Sequence, residues 1–237
     1  MFNDKTPRKR GRGRPRGRTP QGDSARRRLY DEAIRLIAKR GYADATLRDI
    51  AASAGVSPAL LYRYFPSKRA VVLALYDELS GEYAERARRM APGKWRERFL
   101  FALRTSLEVL RPHRETLAGL VPVLVGDAEE GVLARPTAFS RRRVQAAFEM
   151  AVRGARDAPG LGDALALGRI LYLVHLTVLL WWLLDRSPEQ RATTGLLELL
   201  ERALPALALA LRLPRMRRLV RAADGLLRDG LFDEPGV

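Results

Sequence analysis

The stretch TLRDIAASAGVSPALLYRYFPSK, at residues 46–68, decides how the chain folds. A short helix is predicted to begin after Thr46, because the acidic residue three positions later has the spacing of a capping box. Gly55 ends that helix, since a residue without Cβ takes the positive φ of a tight turn at little cost. A second short helix is predicted from Ser57, with Pro58 in its first turn, where a missing N–H is harmless. This pattern predicts a helix-turn-helix whose second helix enters a DNA groove.

Helical periodicity continues on both sides of this motif. A first helix is predicted from Asp23 or Ser24 to Gly41, and a long helix from the end of the motif to near Met90. Further helices are predicted over roughly 94–110, 113–125, 137–157, 163–184 and 188–212, with one more after Pro214. No sustained alternation of apolar and polar residues predicts a strand. We therefore expect an all-α fold, in which an N-terminal three-helix helix-turn-helix domain precedes a larger helical domain for ligand binding and dimerisation.

Four segments follow from this pattern. Residues 1–22 combine Arg, Gly and Pro with almost no apolar side chains, so they are expected to form a disordered basic arm. Residues 23–70 are expected to hold the helix-turn-helix domain, and residues 71–213 the helical effector-binding and dimerisation domain. Residues 214–237 are expected to form a C-terminal helix and tail.

The motif resembles the signature of the tetracycline-repressor (TetR) family of transcriptional regulators. The resemblance rests on TLRDIA at 46–51, AGVS at 54–57 and LYRYFPSK at 61–68. It implies a dimeric regulator, most often a repressor, that binds a palindromic operator and leaves it when a small effector binds. The remaining helices resemble the family in architecture only, because its C-terminal domains vary widely.

The resemblance also implies which residues of the motif contact DNA. Thr46 would cap its helix and touch a phosphate, Arg48 would reach a base edge or the backbone, and Lys68 would hold a phosphate. The full predicted set is Thr46, Arg48, Ser57, Pro58, Ala59, Leu60, Tyr62, Arg63, Tyr64 and Lys68. Core packing at helical spacing is the expected role of Phe65, and it is the alternative role for Tyr62 and Tyr64.

The second helix of the motif offers few polar groups for reading bases. Pro58, Ala59 and Leu60 carry no side-chain hydrogen-bonding group. Contacts with thymine methyl groups, the shape of the DNA, and the side chains of Arg48 and Arg63 would therefore supply most of the sequence preference.

Basic charge is concentrated at the N-terminus. The chain carries 43 Lys and Arg against 27 Asp and Glu, a net charge of +16, and residues 1–28 account for +9 of it. Such an excess favours an anionic partner, either nucleic acid or a membrane surface. Arg12, Arg14 and Arg16 alternate with Gly and Pro and resemble an AT-hook core, which inserts into a narrow A·T minor groove. The alternative is a solvated tail that adds only nonspecific attraction to phosphates.

The larger domain is predicted to dimerise. The segments 163–184 and 188–212 are apolar on nearly all sides, so each needs two apolar neighbours. The core of the same chain supplies one, and a second copy would supply the other. Pro205 is expected to kink the later segment.

The same domain is expected to enclose an effector pocket. The candidate ligand-binding residues are His113, Tyr172, His175 and Trp182, which are aromatic or polar-edged residues in apolar surroundings. Ordinary core packing is the alternative for each of them. A ligand of such a pocket would be a small hydrophobic or acyl-type molecule.

Several other classes of function lack the residues that they need. The chain has no cysteine and two histidines, so no disulfide, metal site or cofactor is expected. No nucleophile–base pair or phosphate-binding loop predicts an enzyme. No apolar run follows the basic N-terminus as a secretory signal requires, and the longest apolar run, residues 170–184, is shorter than a membrane span. We therefore expect a cytoplasmic protein, and the competing interpretation is an architectural DNA binder led by the basic arm.

Overall fold

The computed structural model describes residues 20–232, which form eleven α-helices and no strand. The helices are α1 (Pro20–Arg40), α2 (Leu47–Ser53), α3 (Pro58–Tyr64), α4 (Lys68–Ala87), α5 (Trp95–Leu110), α6 (Arg114–Gly119), α7 (Val121–Gly126), α8 (Ala138–Arg153), α9 (Leu161–Leu184), α10 (Arg191–Ala210) and α11 (Pro214–Leu227). Single 3₁₀ turns precede α6, α8 and α10, and a π-helical turn follows α11. The prediction of an all-α fold is confirmed.

The start of the first helix differs from the prediction. Helix α1 begins at Pro20, so residues 20–22 are helical and not part of a disordered arm. Proline suits the first turn of a helix, where no N–H is needed, so Pro20 is itself a start signal. The remainder of the predicted arm, with Arg12, Arg14 and Arg16, lies outside the described residues.

The predicted helix over 113–125 is instead two helices. Helix α6 ends at Gly119 and α7 begins at Val121. Pro122 lies in the first turn of α7, and a proline there cannot extend the preceding helix, because it lacks the N–H and its ring clashes with the carbonyl four residues earlier. By contrast, α10 continues as one helix through Pro205.

Helices α8 and α9 pack against each other at the centre of the larger domain, with α4 and α5 beside them. Phe148 of α8 is fully buried, and its ring centroid lies 6.0 Å from that of Phe99 and 6.3 Å from that of Tyr172. The two helices cross closely, since a Cβ atom at Gly168 would stand 2.7 Å from the Cα of Glu149. This crossing fixes one wall of the pocket described below.

Helix α9 is long and apolar enough to cross a membrane, judged by length and composition among residues 20–232. Buried core helices of soluble proteins have the same composition, and 44% of the most apolar part of α9 is buried against the rest of the chain. Near its start, Arg169 pairs with Asp224 of α11 at 2.5 and 2.6 Å. Helix α9 is thus a packed helix that retains an uncovered apolar side.

Candidate nucleic-acid interface and effector pocket

The helix-turn-helix is held together by a small buried core. Ile50 and Ala51 of α2 are fully buried, and Leu61 of α3 is 1% exposed. Gly55 stands between the two helices with φ +64°, as the turn requires. The predicted motif is confirmed, and its geometry follows from residues close together in the sequence.

Both short helices begin with the predicted caps. The Thr46 hydroxyl accepts a hydrogen bond from the Asp49 N–H at 3.1 Å, and the Asp49 carboxylate accepts one from the Thr46 N–H at 3.2 Å. The Ser57 hydroxyl accepts from the Leu60 N–H at 3.3 Å, with Pro58 in the first turn. These caps set the start of α3, the helix predicted to enter the groove.

One side of α3 is open to solvent. The exposed residues of this side are Ser57, Pro58, Ala59, Tyr62 and Arg63, while Leu60 and Tyr64 are half-buried. Tyr62 keeps 48% of its surface exposed, whereas Phe65 keeps 1% and belongs to the core. Arg48 of α2 is also exposed, and neither it nor Arg63 forms an ion pair with another of residues 20–232. Their charges are therefore available to an anionic partner.

Two side chains predicted to contact phosphates, those of Thr46 and Lys68, form hydrogen bonds within the protein. The Thr46 hydroxyl donates to the Asp49 carboxylate at 2.7 Å. The Lys68 ammonium donates to the carbonyl oxygens of Tyr42 at 2.5 Å and Ala43 at 3.1 Å, and it lies 4.5 Å from the centroid of the Tyr42 ring. Lys68 thus fastens the loop after α1, a role that its place in the sequence does not reveal.

A cavity of about 100 Å³ lies between α4, α5, α8 and α9 in the larger domain. Leucine and valine side chains form most of its wall, among them Leu79, Leu110, Leu124, Val132, Val144 and Leu179. Tyr172 and His175 line it as predicted. A mostly apolar cavity with a few polar groups suits a small ligand.

The other two predicted ligand-binding residues do not reach this cavity. Trp182 occupies the last turn of α9, where its indole N–H donates to Gln190 at 2.5 Å and its ring faces the guanidinium of Arg114. His113 is half-buried in the 3₁₀ turn before α6. Their chemistry alone predicts a place in the pocket, but the packing of the chain directs both side chains elsewhere.

The polar groups of the cavity are buried and only partly satisfied. His175 is 2% exposed, its Nε2 lies 2.8 Å from the Ser106 hydroxyl, and burial lowers the pKa of the ring to about 3. Its Nδ1 and the hydroxyl of Tyr83 are buried without a hydrogen-bond partner among residues 20–232. Sequence reasoning missed Tyr83, Ser106 and Arg141, which also line the cavity. A sequence feature that could have predicted such a residue is a polar side chain on the apolar side of a helix, as Ser106 lies one turn after Leu103.

Residues 29–75 match the family model described as bacterial regulatory proteins, tetR family. Over 60 residues the chain is 47% identical to the HTH-type transcriptional regulator BetI of Brucella anthropi, a match that covers 25% of this chain and 31% of BetI. Residues 29–75 therefore form a DNA-binding domain of the TetR type. The match spans about three tenths of the length of this curated relative, and it coincides with the helix-turn-helix.

Solved structures extend the likeness to the larger domain, at the level of the fold. A tetR-family transcriptional regulator from Streptomyces coelicolor matches with a TM-score of 0.58 and 23% identity, over 90% of this chain and 92% of that one. FadR from Bacillus subtilis, solved in complex with stearoyl-CoA, matches with a TM-score of 0.56 and 20% identity, over 73% and 96% of the two chains.

The DNA-binding head contacts the larger domain where α1 packs against α6, and also through residues 127–131. The Tyr42 hydroxyl donates to the Glu130 carboxylate at 2.6 and 2.7 Å, and Arg69 forms an ion pair with Glu129. Leu124 and Val132, on either side of this turn, line the cavity. One short segment therefore contacts both the head and the cavity wall.

Proposed function

We propose that this protein is a dimeric repressor that binds a palindromic DNA operator and leaves it when a small, largely hydrophobic effector binds. The observation that carries the proposal is the exposed face of α3, where Tyr62 and Arg63 stand free on a capped helix of a TetR-type head. A helix presented in this way fits the major groove, and the exposed Arg48 beside it suits a phosphate or a base edge. The remaining residues of the predicted DNA-binding set are also proposed to contact DNA.

A second copy of the chain is proposed to cover the open sides of α9 and α10. Trp181 of α9 is 49% exposed and Leu199 of α10 is 64% exposed, and only Thr193 and Leu204 of α10 are buried. A helix this apolar and this exposed needs a partner in water. A two-fold dimer through this surface would set two α3 helices on the two halves of a palindrome.

The proposed effector site is the cavity that Tyr172 and His175 line. The apolar wall fits a hydrophobic ligand, and the structural relative from Bacillus subtilis was solved with stearoyl-CoA. A ligand that moved Leu124 or Val132 would disturb residues 127–131 and, through Tyr42, the head. A ligand changes operator affinity only if it binds the DNA-bound and DNA-free conformations with different affinity, and a movement of this segment would provide that difference. The protein would act in the cytoplasm, where its operator is, and as a binding protein rather than an enzyme.

The test is the selection of bound duplexes from a random DNA library. Full-length protein is compared with a chain that lacks residues 1–19, because the first helix begins at Pro20 and should stay intact. We expect the same palindrome from both proteins, with A·T-rich flanks only for the full-length protein if its arginines insert into the minor groove. Absence of any motif would instead favour the architectural DNA binder.

A further inference from the structure

One charged residue stands in the wall of the cavity. Arg141, in the first turn of α8, is 7% exposed and lines the same space as Tyr172 and His175. Its Nη1 donates to the carbonyl oxygen of Leu133 at 2.9 Å, and its guanidinium lies 5.6 Å from the ring centroid of Phe232. No carboxylate among residues 20–232 pairs with it. Burying a charge without a counter-charge is costly, so such a residue needs a reason.

A second buried arginine shows what a structural role looks like. All three nitrogens of the Arg98 guanidinium donate to main-chain carbonyl oxygens, those of Ala151 at 2.9 Å, Ala91 at 2.7 Å and Met150 at 3.0 Å. Arg141 uses only Nη1, whose second acceptor is the carbonyl of Ala134 at 3.5 Å. Its Nε and Nη2 have no hydrogen-bond partner among the described residues. Arg141 therefore retains donors that the protein itself does not use.

The other polar atoms of the cavity point to the same kind of ligand. The Tyr83 hydroxyl is buried without a hydrogen-bond partner in the described part of the chain and can donate, and Ser80 and Ser140 also line the space. Most of the remaining wall is leucine and valine. A cation, hydroxyl groups and an apolar wall match a molecule with one anionic end and a hydrocarbon body.

We propose that the effector is a small monocarboxylate with an apolar body, whose carboxylate accepts hydrogen bonds from Arg141 and whose body lies against the leucine and valine wall. This inference rests on the proposed effector site. A guanidinium matches a carboxylate with two parallel N–H donors, which makes the pair stronger than a neutral hydrogen bond.

Isothermal titration calorimetry of the full-length protein with octanoate, methyl octanoate, octanol and octanoyl-CoA tests the carboxylate. We expect octanoate to bind about tenfold or more tightly than the ester and the alcohol, because only the acid offers a charged acceptor to Arg141. Butyrate and dodecanoate then measure the length of body that the cavity accepts.

A pair of variants isolates the guanidinium. R141M should weaken octanoate binding by about 10- to 100-fold and leave binding of the methyl ester unchanged. R142M, which removes an exposed arginine from the next position of the same helix, should leave both unchanged. R141K keeps the charge but not the two-pronged donor, so it should reduce the preference for acid over ester even if R141M fails to fold.

Four outcomes would overturn the proposal: equal affinity for the acid and the ester, no effect of R141M on octanoate, binding of the CoA thioester alone, or no binding by any carboxylate in the series. Calorimetry contains no DNA, so these outcomes are independent of the operator selection. If octanoate binds but does not lower affinity for the selected operator, its role as effector is wrong while the operator stands.

Discussion

At the scale of single residues, exposure separates the side chains proposed to contact DNA from those that hold the head together. Tyr62 and Phe65 lie three positions apart on α3 and its cap, yet one is half exposed and the other buried. The pattern of residue types does not distinguish them, because both are aromatic residues at helical spacing. Their orientation around the helix does.

Removing the hydroxyl of Tyr62 tests its proposed phosphate contact. Y62F should weaken binding to operator and to unrelated duplexes by the same factor, about fivefold per subunit, since a phosphate contact carries no base information. Fluorescence anisotropy with both duplexes measures this. R63A is the contrasting variant and should change the ratio between the two duplexes. Unchanged affinity of Y62F would remove Tyr62 from the interface.

The buried imidazole of His175 makes stability depend on pH. Burial lowers the pKa of this ring to about 3, against 6.5 for an ordinary histidine. Below pH 6.5 the unfolded chain therefore binds a proton that the folded protein does not, so stability is complete above that pH and falls on acidification. We expect a loss of about 1.4 kcal/mol for each pH unit between pH 6 and pH 5.

Thermal or urea unfolding across this range measures the effect. H175Q keeps a partner for Ser106 but has no proton to bind, so most of the slope between pH 6.5 and pH 5 should disappear. H113Q is the matched control, because His113 is half-buried outside the cavity, and it should keep the slope. A slope that H175Q leaves intact would mean that another group titrates.

At the scale of elements, α10 is a helix with an apolar side that the rest of its own chain does not cover. Its inner side reaches the core through Leu204, while its outer side carries Leu199 and Leu207 in solvent. Sequence periodicity predicted a helix apolar on opposite sides, and the structure adds which side is open. The proposed two-fold interface belongs to this scale.

A charge on the outer side of α10 should separate the proposed dimer. L199E is expected to sediment as a monomer at micromolar concentration and to lose most affinity for a palindromic operator, because an unpaired carboxylate would be buried in the interface. V125E is the matched control, since Val125 is 66% exposed against 64% for Leu199 but lies at the end of α7. If L199E sediments as the unchanged protein does, α10 does not form the interface.

At the scale of the whole molecule, the head and the larger domain are joined by the packing of α1 against α6 and by a few polar contacts of residues 127–131. Glu130 accepts from Tyr42 of the head, and its carbonyl oxygen accepts from the Tyr76 hydroxyl at 3.1 Å. A signal from the cavity would cross at this segment. The contacts span 88 and 54 positions of the chain, which is why no local pattern predicts them.

Y42F removes one polar link between the head and the larger domain, the hydrogen bond to Glu130. We expect the free energy of unfolding to fall by about 1 kcal/mol, the usual effect of losing one partly buried hydrogen bond. Amide hydrogen exchange over residues 127–132 should become faster, as measured by mass spectrometry. Y62F makes the same chemical change at a tyrosine outside this contact and should alter neither quantity. Unchanged exchange in Y42F would show that the segment is held by other contacts.

The sequence alone determined the helical class, the helix-turn-helix and the caps at Thr46 and Ser57. These features depend on residues within about four positions of one another, so hydrogen-bonding groups and helical periodicity are enough to predict them. The division between α6 and α7 was also readable from Pro122, although it was not predicted. The family resemblance came from the same short region, which is where the curated relatives match.

Only the tertiary structure decided which polar residues share the cavity and which cations are free. His175 faces Ser106 from 69 positions away, while His113 and Trp182 point elsewhere. Lys68 is bound to the carbonyl oxygens of Tyr42 and Ala43, whereas Arg141 keeps unused donors beside the cavity. The physical reason is that these relationships depend on how whole helices rotate and cross when their apolar sides are buried, and that arrangement is set by contacts distant in sequence.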